Sequence, residues 1–271
     1  MTRRNDEEQG DATVNPPTTE ARADVPAPGI WHRLYFSSYL LWTAQHEAEL
    51  AGQIEVAHLG RSKFSIEHRA HVVSSIVASV GFLEAMVNEL YQDAVDGHGA
   101  DAYVTSLPAG CRQAMVDFWQ ATAFGRSVET IEKYERLFEF ARAAMLDRGG
   151  QLYEDVGIVI RLRNIIVHYL PENLSAAAEA HDMERRCRTK NFAENALMVD
   201  SGNPWWPDKA LGYGCAKWAH RSVKALADHT SDAIGIRPNY YRHWNQRDQG
   251  TGEWLGQIPG TRELDNGQDE R

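Results

Sequence analysis

The sequence predicts an all-α fold, an up-and-down helical bundle with an extra N-terminal helix and a disordered tail at each end. Apolar side chains recur at steps of three or four residues through most of the stretch 31–234, which is the period of a helix packed on one face. Runs of alternating β-branched residues between hairpin turns are nearly absent. These two observations favour helices over strands.

Seven helices are expected from the apolar period and from the residues that start and stop it. Their predicted bounds are 31–58, 65–96, 109–122, 127–146, 152–170, 174–187 and 208–234. Ser65 and Ser127 are suitable N-caps, and Gly97 and Gly235 are suitable stops, because glycine readily adopts the left-handed conformation that ends many helices. Pro171 disfavours helical geometry in the residue before it, so it ends the fifth helix.

One domain is expected between two tails. Residues 1–29 and 246–271 are polar and lack an apolar period, so the first is predicted to be disordered and the second mostly so. Residues 30–245 are predicted to form the helical domain. Of the formal net charge of −10, each tail carries −3, which leaves −4 for the domain. This charge argues against a polybasic coat for nucleic acid but permits a local basic site.

The cytoplasm is the predicted location. Cys111, Cys187 and Cys215 are far apart and form no Cys-x-x-Cys pair, which argues against a disulfide framework or a zinc ribbon. The N-terminal residues lack the apolar segment of a secretory signal. The longest apolar stretch, around 74–87, contains polar residues, and we expect it to be too short and too polar to span a bilayer. No membrane partner is expected.

The predicted helix 152–170 carries the residues on which the functional prediction depends. Arg163, Asn164 and His168 stand near its end, before Tyr-Leu-Pro-Glu at 169–172. On a wheel of 100° per residue its apolar side chains occupy one broad core face and parts of other sides. A helix that is apolar on several sides is buried by more than its own bundle, so a partner subunit is expected to pack against it.

The three polar side chains suit metal-free cleavage of a phosphodiester. An imidazole near neutrality can move the proton of a ribose 2′-hydroxyl, and a planar guanidinium can hold the phosphate. Asn164 precedes His168 by four residues, so its amide can reach the imidazole and fix its orientation. Arg163, Asn164 and His168 are therefore the predicted catalytic residues, with no cofactor and no metal ligand.

The segment Arg-Asn-Ile-Ile-Val-His at 163–168 resembles the Arg-x4–6-His motif of HEPN domains (higher eukaryotes and prokaryotes nucleotide-binding). The apolar segment 75–91 is similar to the long first core helix of that superfamily, and the segment 209–235 is similar to its closing helix. The resemblance spans about 65–235, with the helix 31–58 as an addition.

Many HEPN domains are metal-independent endoribonucleases, some of them in toxin–antitoxin or defence systems, and they commonly dimerise so that two motifs form one site. The resemblance implies an enzyme that cleaves RNA by attack of the 2′-hydroxyl, with Arg163 and His168 at the centre of a homodimer. It also implies RNA as the substrate and an antitoxin or another regulatory protein as a partner. The alternative is a catalytically inactive HEPN-like module that binds nucleotides or proteins.

Two questions about the site stay open at this level. Arg161 lies seven residues before His168, matches the same motif and shares a helix face with the histidine, so it is a rival or a helper of Arg163. Glu84 and Asn88 interrupt the apolar helix 65–96 at a spacing of four. They either face the same cleft and orient Arg163 or form an ordinary polar pair.

Two other patterns in the sequence, a Glu-x-x-His spacing and a tryptophan pair, have simpler explanations than a functional site. Glu55 and His58 have the Glu-x-x-His spacing of di-iron bundles, but such a site needs a second motif, so a metal enzyme is only the third hypothesis. Trp205-Trp206, between two prolines, could stack on bases. An ordered corner that packs against the end of the bundle is the favoured interpretation.

Overall fold

The structure is a computed structural model that describes residues 33–61, 63–97, 103–176, 179–240, 246–247 and 254–255. The chain divides into two units, Met1–Leu34 and Tyr35–Arg271. In the first unit only Arg33 and Leu34 are described, and neither belongs to a helix or a strand. The predicted tails otherwise lie outside the described residues, apart from two short strands near the C-terminus, and the domain bounds 30–245 stay a prediction.

The second unit is all-α, as the sequence predicts. Its described residues contain the helices α1 Phe36–Ala57, α2 Ile66–Asp96, α3 Ala109–Ala121, α4 Thr130–Ala141, α5 Gln151–Val167, α6 Asp182–Cys187 and α7 Tyr213–Ile234. A 3₁₀ turn, Tyr103–Ser106, precedes α3, and a π turn, Trp205–Lys209, precedes α7. The strands β1 Gln246–Arg247 and β2 Trp254–Leu255 pair antiparallel, with Gln246 opposite Leu255.

Helix α2 is the centre of the core. The Ser65 hydroxyl accepts the His68 N–H at 3.2 Å and caps its start, and Gly97, with a φ of 60°, ends it as predicted. Its apolar side chains between Val72 and Tyr91 are largely buried. The helices α1, α3, α4, α5 and α7 all pack on α2.

Helices α1, α5 and α7 complete the core around α2. α1 lies along α2, while α7 packs against α1, α2 and α5. The buried side chains that join them include Leu41 of α1, Leu162 of α5 and Val223 of α7. α3 and α4 pack on each other and on α2. The strict up-and-down order of the helices stays a prediction.

Helix α4 is shorter than the predicted 127–146. It begins at Thr130 after Glu129, and the Ser127 hydroxyl donates to the Thr122 carbonyl at 3.2 Å instead of capping the helix. Arg142, with a φ of 54°, ends the helix in the left-handed conformation. The apolar period continues past this point because Leu146 packs into the core from outside the helix.

The prediction of a helix over 174–187 was wrong for the described residues before Asp182: residues 174–176 and 179–181 are not helical, and the described helix is Asp182–Cys187. The His181 imidazole accepts the Met183 N–H at 3.1 Å, so it caps a helix that starts later than the pattern indicates. Two neighbouring helix ends also differ from the prediction. Helix α5 ends at Val167 instead of residue 170. Helix α7 begins at Tyr213 instead of residue 208, because the π turn and Gly212 occupy the residues before it.

Glu55 of α1 supplies the cap that α7 lacks at its own N-terminus, where Gly212 has no side chain to offer. One carboxylate oxygen, Oε1, accepts the Tyr213 N–H at 2.7 Å and lies 2.8 Å from Nε2 of His68. The other oxygen accepts the Ala196 N–H at 3.4 Å. Both Glu55 and His68 are buried, so this carboxylate joins α1, α2 and the start of α7.

Among the helices that the structure describes, α2 alone is long and apolar enough to cross a bilayer by length and composition. The stretch 74–87 led us to expect otherwise, but the helix continues to 31 residues and contains an 18-residue window of mean hydropathy 1.7. Within that window 56% is buried inside the structure. The core helix of a soluble protein has the same properties, so the packing of α2 is compatible with a soluble protein.

Candidate active site at the end of helix α5

Helix α5 places the predicted site residues at its C-terminal end. Gly150 precedes its first turn, and Val156, Val159 and Leu162 are buried on the face that meets α2 and α7. The apolar side chains beyond Leu162 become progressively more exposed. The end of the helix therefore emerges from the core and is open to solvent.

His168 caps the C-terminus of α5 and is exposed. Its backbone N–H donates to the Asn164 carbonyl at 2.9 Å, and its φ of −108° and ψ of 35° lie outside the helical range. Among the described residues, the imidazole has no hydrogen-bond or ion-pair partner. Both ring nitrogens are therefore available to a substrate or to a second protein chain.

Arg163 points to α2, where its Nη2 forms an ion pair with Glu84 Oε1. The arginine side chain is 20% exposed, and its Nε is buried without a hydrogen-bond partner in the described structure. A guanidinium has five N–H donors in one plane, so the one contact with Glu84 leaves other donors unused. The contact fits the alternative in which Glu84 orients Arg163.

Asn88 belongs to a separate contact, although it lies one turn after Glu84. Its Oδ1 accepts the Lys133 ammonium of α4 at 2.9 Å. Glu84 also lies 3.5 Å from the Thr130 hydroxyl at the start of α4. The two polar residues of α2 therefore serve different partners, and only Glu84 meets the candidate site.

The side chain of Asn164 is exposed and forms no hydrogen bond with the His168 imidazole in the described part of the chain. The only bond between the two residues is the backbone bond that closes the last helical turn. The expected orientation of the imidazole by this amide is therefore not formed in the single protomer. Whether Asn164 takes part in the site stays a prediction.

Arg161 and Arg163 point to different neighbours. The Arg161 guanidinium lies 2.9 Å from Asp182 at the start of α6, and it is exposed. Helix geometry puts Arg161 within about 20° of His168 around the axis, whereas Arg163 is about 140° away. Arg161 therefore shares the face of the histidine, while Arg163 lies on the α2 side of the helix.

Large apolar side chains are exposed beside His168. Val167 and Tyr169 are each 51% exposed, and Leu170 is 77% exposed. Exposed apolar residues that occur singly need no explanation, but three within four residues around a polar motif indicate a contact surface. We refer to Val167, Tyr169 and Leu170 as the α5-end patch.

The residues weighed as metal ligands have other partners. Glu55 is engaged by His68 and α7, and the His58 ring lies 3.0 Å from the Ile54 carbonyl of its own helix. His71 pairs with Glu47 at 2.7 Å. Within the described residues, no group of three or more His, Cys, Asp or Glu side chains is arranged to hold a metal ion.

The cysteines and tryptophans named from the sequence are buried. The three cysteines are free thiols, and burial raises the pKa of Cys187 to about 12, so it stays protonated at neutral pH and is a poor nucleophile. Trp205 and Trp206 are 8% and 3% exposed. This confirms the prediction of a packed corner, because little indole surface is open.

The chain was compared with protein-family models, with curated proteins and with solved structures, and none of them matches it.

Proposed function

We propose that the chain is a metal-independent endoribonuclease of the HEPN type, with Arg163, Asn164 and His168 in its site. The observation that carries the proposal is the exposed imidazole at the end of α5, which has no partner in the described structure and lies five residues after an arginine that is ion-paired with Glu84. A base that is open to solvent and a positioned cation are the two groups that cleavage of RNA by its own 2′-hydroxyl requires.

The chemistry assigns one role to each side chain. His168 takes the proton of the 2′-hydroxyl, and the 2′-oxygen attacks the adjacent phosphorus. The bond between phosphorus and the 5′-oxygen then breaks, and the leaving oxygen takes a proton from water, while the protonated His168 returns its proton to the solvent and is neutral again. The products are a 2′,3′-cyclic phosphate and a free 5′-hydroxyl. Arg163 stabilises the extra negative charge on the phosphorane, because a guanidinium binds two phosphate oxygens in one plane.

A second copy of the chain is part of the proposal. Arg163 and His168 diverge around the α5 axis, so a single protomer presents them to different sides. The α5-end patch surrounds the histidine and gives two protomers an apolar surface to share. Pairing through this patch brings two motifs to one groove, in which an arginine and a histidine can meet the same phosphate.

The test is cleavage of a 5′-labelled RNA oligonucleotide pool by the purified chain in excess EDTA. We expect cleavage to persist, to leave 2′,3′-cyclic phosphate ends and to fall at least about 100-fold in H168A, which is the usual range for loss of a general base. The matched control is H71A, because His71 pairs with Glu47 on another face and its loss is expected to leave the rate unchanged.

Cleavage that is equal in H168A and in the wild type would contradict this proposal. Absence of cleavage by a folded dimer that still binds RNA would instead support the alternative, an inactive HEPN-like module that binds nucleotides or proteins. One observation favours that alternative: Asn164 forms no side-chain bond with His168 in the single protomer.

A toxin or defence role in the cytoplasm follows from the same proposal. If the chain cuts RNA that its host needs, expression without a regulator arrests growth, and an antitoxin or another regulatory protein would cover the exposed end of α5. Growth arrest on expression of the wild type, and normal growth with H168A at equal protein level, is the expected result.

A further inference from the structure

A cavity of about 390 Å³ lies between α6 and the π turn that precedes α7. Its walls include His181, Glu184, Arg188, Glu194, Trp205 and Trp206. The volume falls within the range of roughly 300–1,000 Å³ typical of small-ligand sites. Flat rings and planar polar groups form much of the lining, which favours a flat ligand.

The rings offer a surface for stacking. The His181 imidazole is stacked on Trp206 with centroids 5.5 Å apart and planes 11° from parallel. Its side chain is 22% exposed, whereas Trp206 is almost fully buried beneath it. Arg188 lies over Trp205, 4.6 Å from the ring centroid. Because His181 lines the cavity and 22% of its side chain is exposed, a flat ligand bound there can contact this ring and stack on it.

The polar groups favour a neutral ligand that donates hydrogen bonds. Three carboxylates in the lining, including Glu184 and Glu194, face only Arg188 and Lys209 as full cations. Oε1 of Glu184 accepts from Arg188 at 2.8 Å, and Oε1 of Glu194 accepts from Trp205 at 2.6 Å. Neither Oε2 atom accepts a hydrogen bond from the described residues. A phosphate is disfavoured here, since carboxylates repel it.

The cavity adjoins the candidate active site. Glu172 follows His168 by four residues, a distance of at most about 14 Å along an extended chain, and it lies 3.3 Å from His181. Arg161 of α5 meets Asp182 at the start of α6. A nucleotide next to a phosphate held at the end of α5 can therefore reach the cavity.

We propose that this cavity binds a guanine base of the RNA substrate, an inference that rests on the proposed ribonuclease function. Guanine presents a ring N–H and an amino group side by side, which match the two oxygens of a carboxylate. Adenine and cytosine place a ring acceptor beside their amino group, and uracil flanks its N–H with carbonyl oxygens, so a carboxylate repels each of them. Exposed arginines of α6, each ion-paired with a carboxylate of the same helix, lie beside the cavity and can contact the neighbouring phosphates.

The test is binding of guanosine 5′-monophosphate to the full-length chain, measured by isothermal titration calorimetry. We expect saturable binding that is at least tenfold tighter than binding of the adenosine, cytidine and uridine monophosphates. H181N is expected to weaken binding at least tenfold, because asparagine keeps the N-cap of α6 but removes the stacking ring. The control H71N makes the same substitution on another face and is expected to bind as the wild type does.

A second variant addresses the carboxylate. E194Q keeps an oxygen for the Trp205 N–H but presents an amide to the base, so it is expected to bind guanosine 5′-monophosphate at least fivefold more weakly. No saturable binding to the wild type, equal affinity for all four nucleotides, or wild-type affinity in H181N would overturn the inference. Binding of a peptide that competes with the nucleotide and is lost in H181N would also overturn it.

The two proposals fail separately. Cleavage that depends on His168 without any nucleotide binding in the cavity removes the guanine site and leaves the ribonuclease. Nucleotide binding that depends on His181 without RNA cleavage leaves the cavity as a nucleotide site and removes the ribonuclease.

Discussion

His220 is a buried residue whose charge state affects the stability of the fold. It lies on α7, is 9% exposed, and its Nε2 has no hydrogen-bond partner in the described structure. Burial lowers the pKa of the imidazole from 6.5 to about 4, and the neighbouring charge of Arg221 adds to the shift. The folded protein therefore holds this ring neutral at a pH where the unfolded chain protonates it.

The sign of the resulting pH dependence is fixed by the direction of the shift. The contribution of the neutral His220 to the free energy of unfolding is fully present above pH 6.5. It is lost as the pH falls toward 4, because the unfolded state binds the proton more tightly than the folded state. The loss amounts to about 2 kcal/mol between pH 7.5 and pH 5, at 1.36 kcal/mol per pKa unit. Urea denaturation of the wild type and H220Q at both pH values measures it.

The free energy of unfolding of H220Q minus that of the wild type is expected to be about 2 kcal/mol larger at pH 5 than at pH 7.5. The reason is that glutamine does not titrate, so the variant lacks the loss that His220 causes in the wild type. An equal difference between the two proteins at both pH values would show that His220 is protonated equally in the folded and unfolded states.

For the single residue Arg163, the sequence pattern predicts the position on the helix but does not identify the partner. The helical period of α5 places this arginine at the margin of the core face, and the structure finds it partly buried there. Its partner Glu84 is 79 residues away in the chain. Glu84 is visible in the sequence only as a charge inside an apolar helix, so its contact with Arg163 had to be stated as one of two alternatives.

At the scale of the element, the start of α7 depends on a residue of α1. The Glu55 carboxylate satisfies the Tyr213 N–H and contacts His68, and all of these groups are shielded from water to a large extent. A charged acceptor near a helix N-terminus also interacts favourably with the helix dipole. The closing helix is therefore anchored by a side chain that is far from it in sequence.

Replacement of Glu55 by alanine is expected to lower the free energy of unfolding by about 3 kcal/mol, since it leaves the His68 ring and the Tyr213 N–H without an acceptor in a buried place. E55Q keeps one acceptor oxygen and is expected to cost about half as much. Thermal and urea denaturation measure both. The control E49A, on the same helix, is expected to change stability by less than about 0.5 kcal/mol.

A loss in E55A no larger than in E49A would contradict the capping role of Glu55. The contact also explains why the Glu-x-x-His pattern at 55–58 is not a metal motif in the described structure: the glutamate turns inward to α7, and His58 turns to its own backbone.

At the scale of the whole molecule, the exposed apolar residues at the end of α5 are the proposed contact between two protomers. The α5-end patch surrounds the candidate histidine, and Leu170 is its most exposed member. A glutamate there is expected to break the proposed dimer, because a charge in the centre of an apolar contact loses its hydration without gaining a partner.

We expect L170E to raise the dimer dissociation constant at least tenfold in sedimentation velocity and to lower RNA cleavage in parallel. L59E is the control, because Leu59 is 74% exposed at the turn after α1, outside the patch. An unchanged dimer in L170E, or an equal effect of L59E, would place the contact between protomers elsewhere. RNA cleavage by L170E as a monomer would contradict the proposal that two protomers form the site, and it would leave the proposed ribonuclease function in place.

The helices show what kind of information decides each part of the fold. α2 begins at its serine cap and ends at its glycine as predicted, because both signals act through local backbone bonds. α4 and α6 are shorter than predicted, since apolar residues outside a helix, such as Leu146, can complete the core and so extend the apparent period. A period in sequence reports burial, and burial does not require that the backbone be helical.

By itself, the sequence determined the all-α class, most helix positions and the location of Arg163 near the end of one helix, with His168 just after it, because these follow from local periodicity and capping. The tertiary structure decided that Glu84 holds Arg163, that Glu55 caps α7 and that the tryptophans and His181 border a cavity. Those contacts join residues far apart in the chain, and their geometry depends on how the helices pack together.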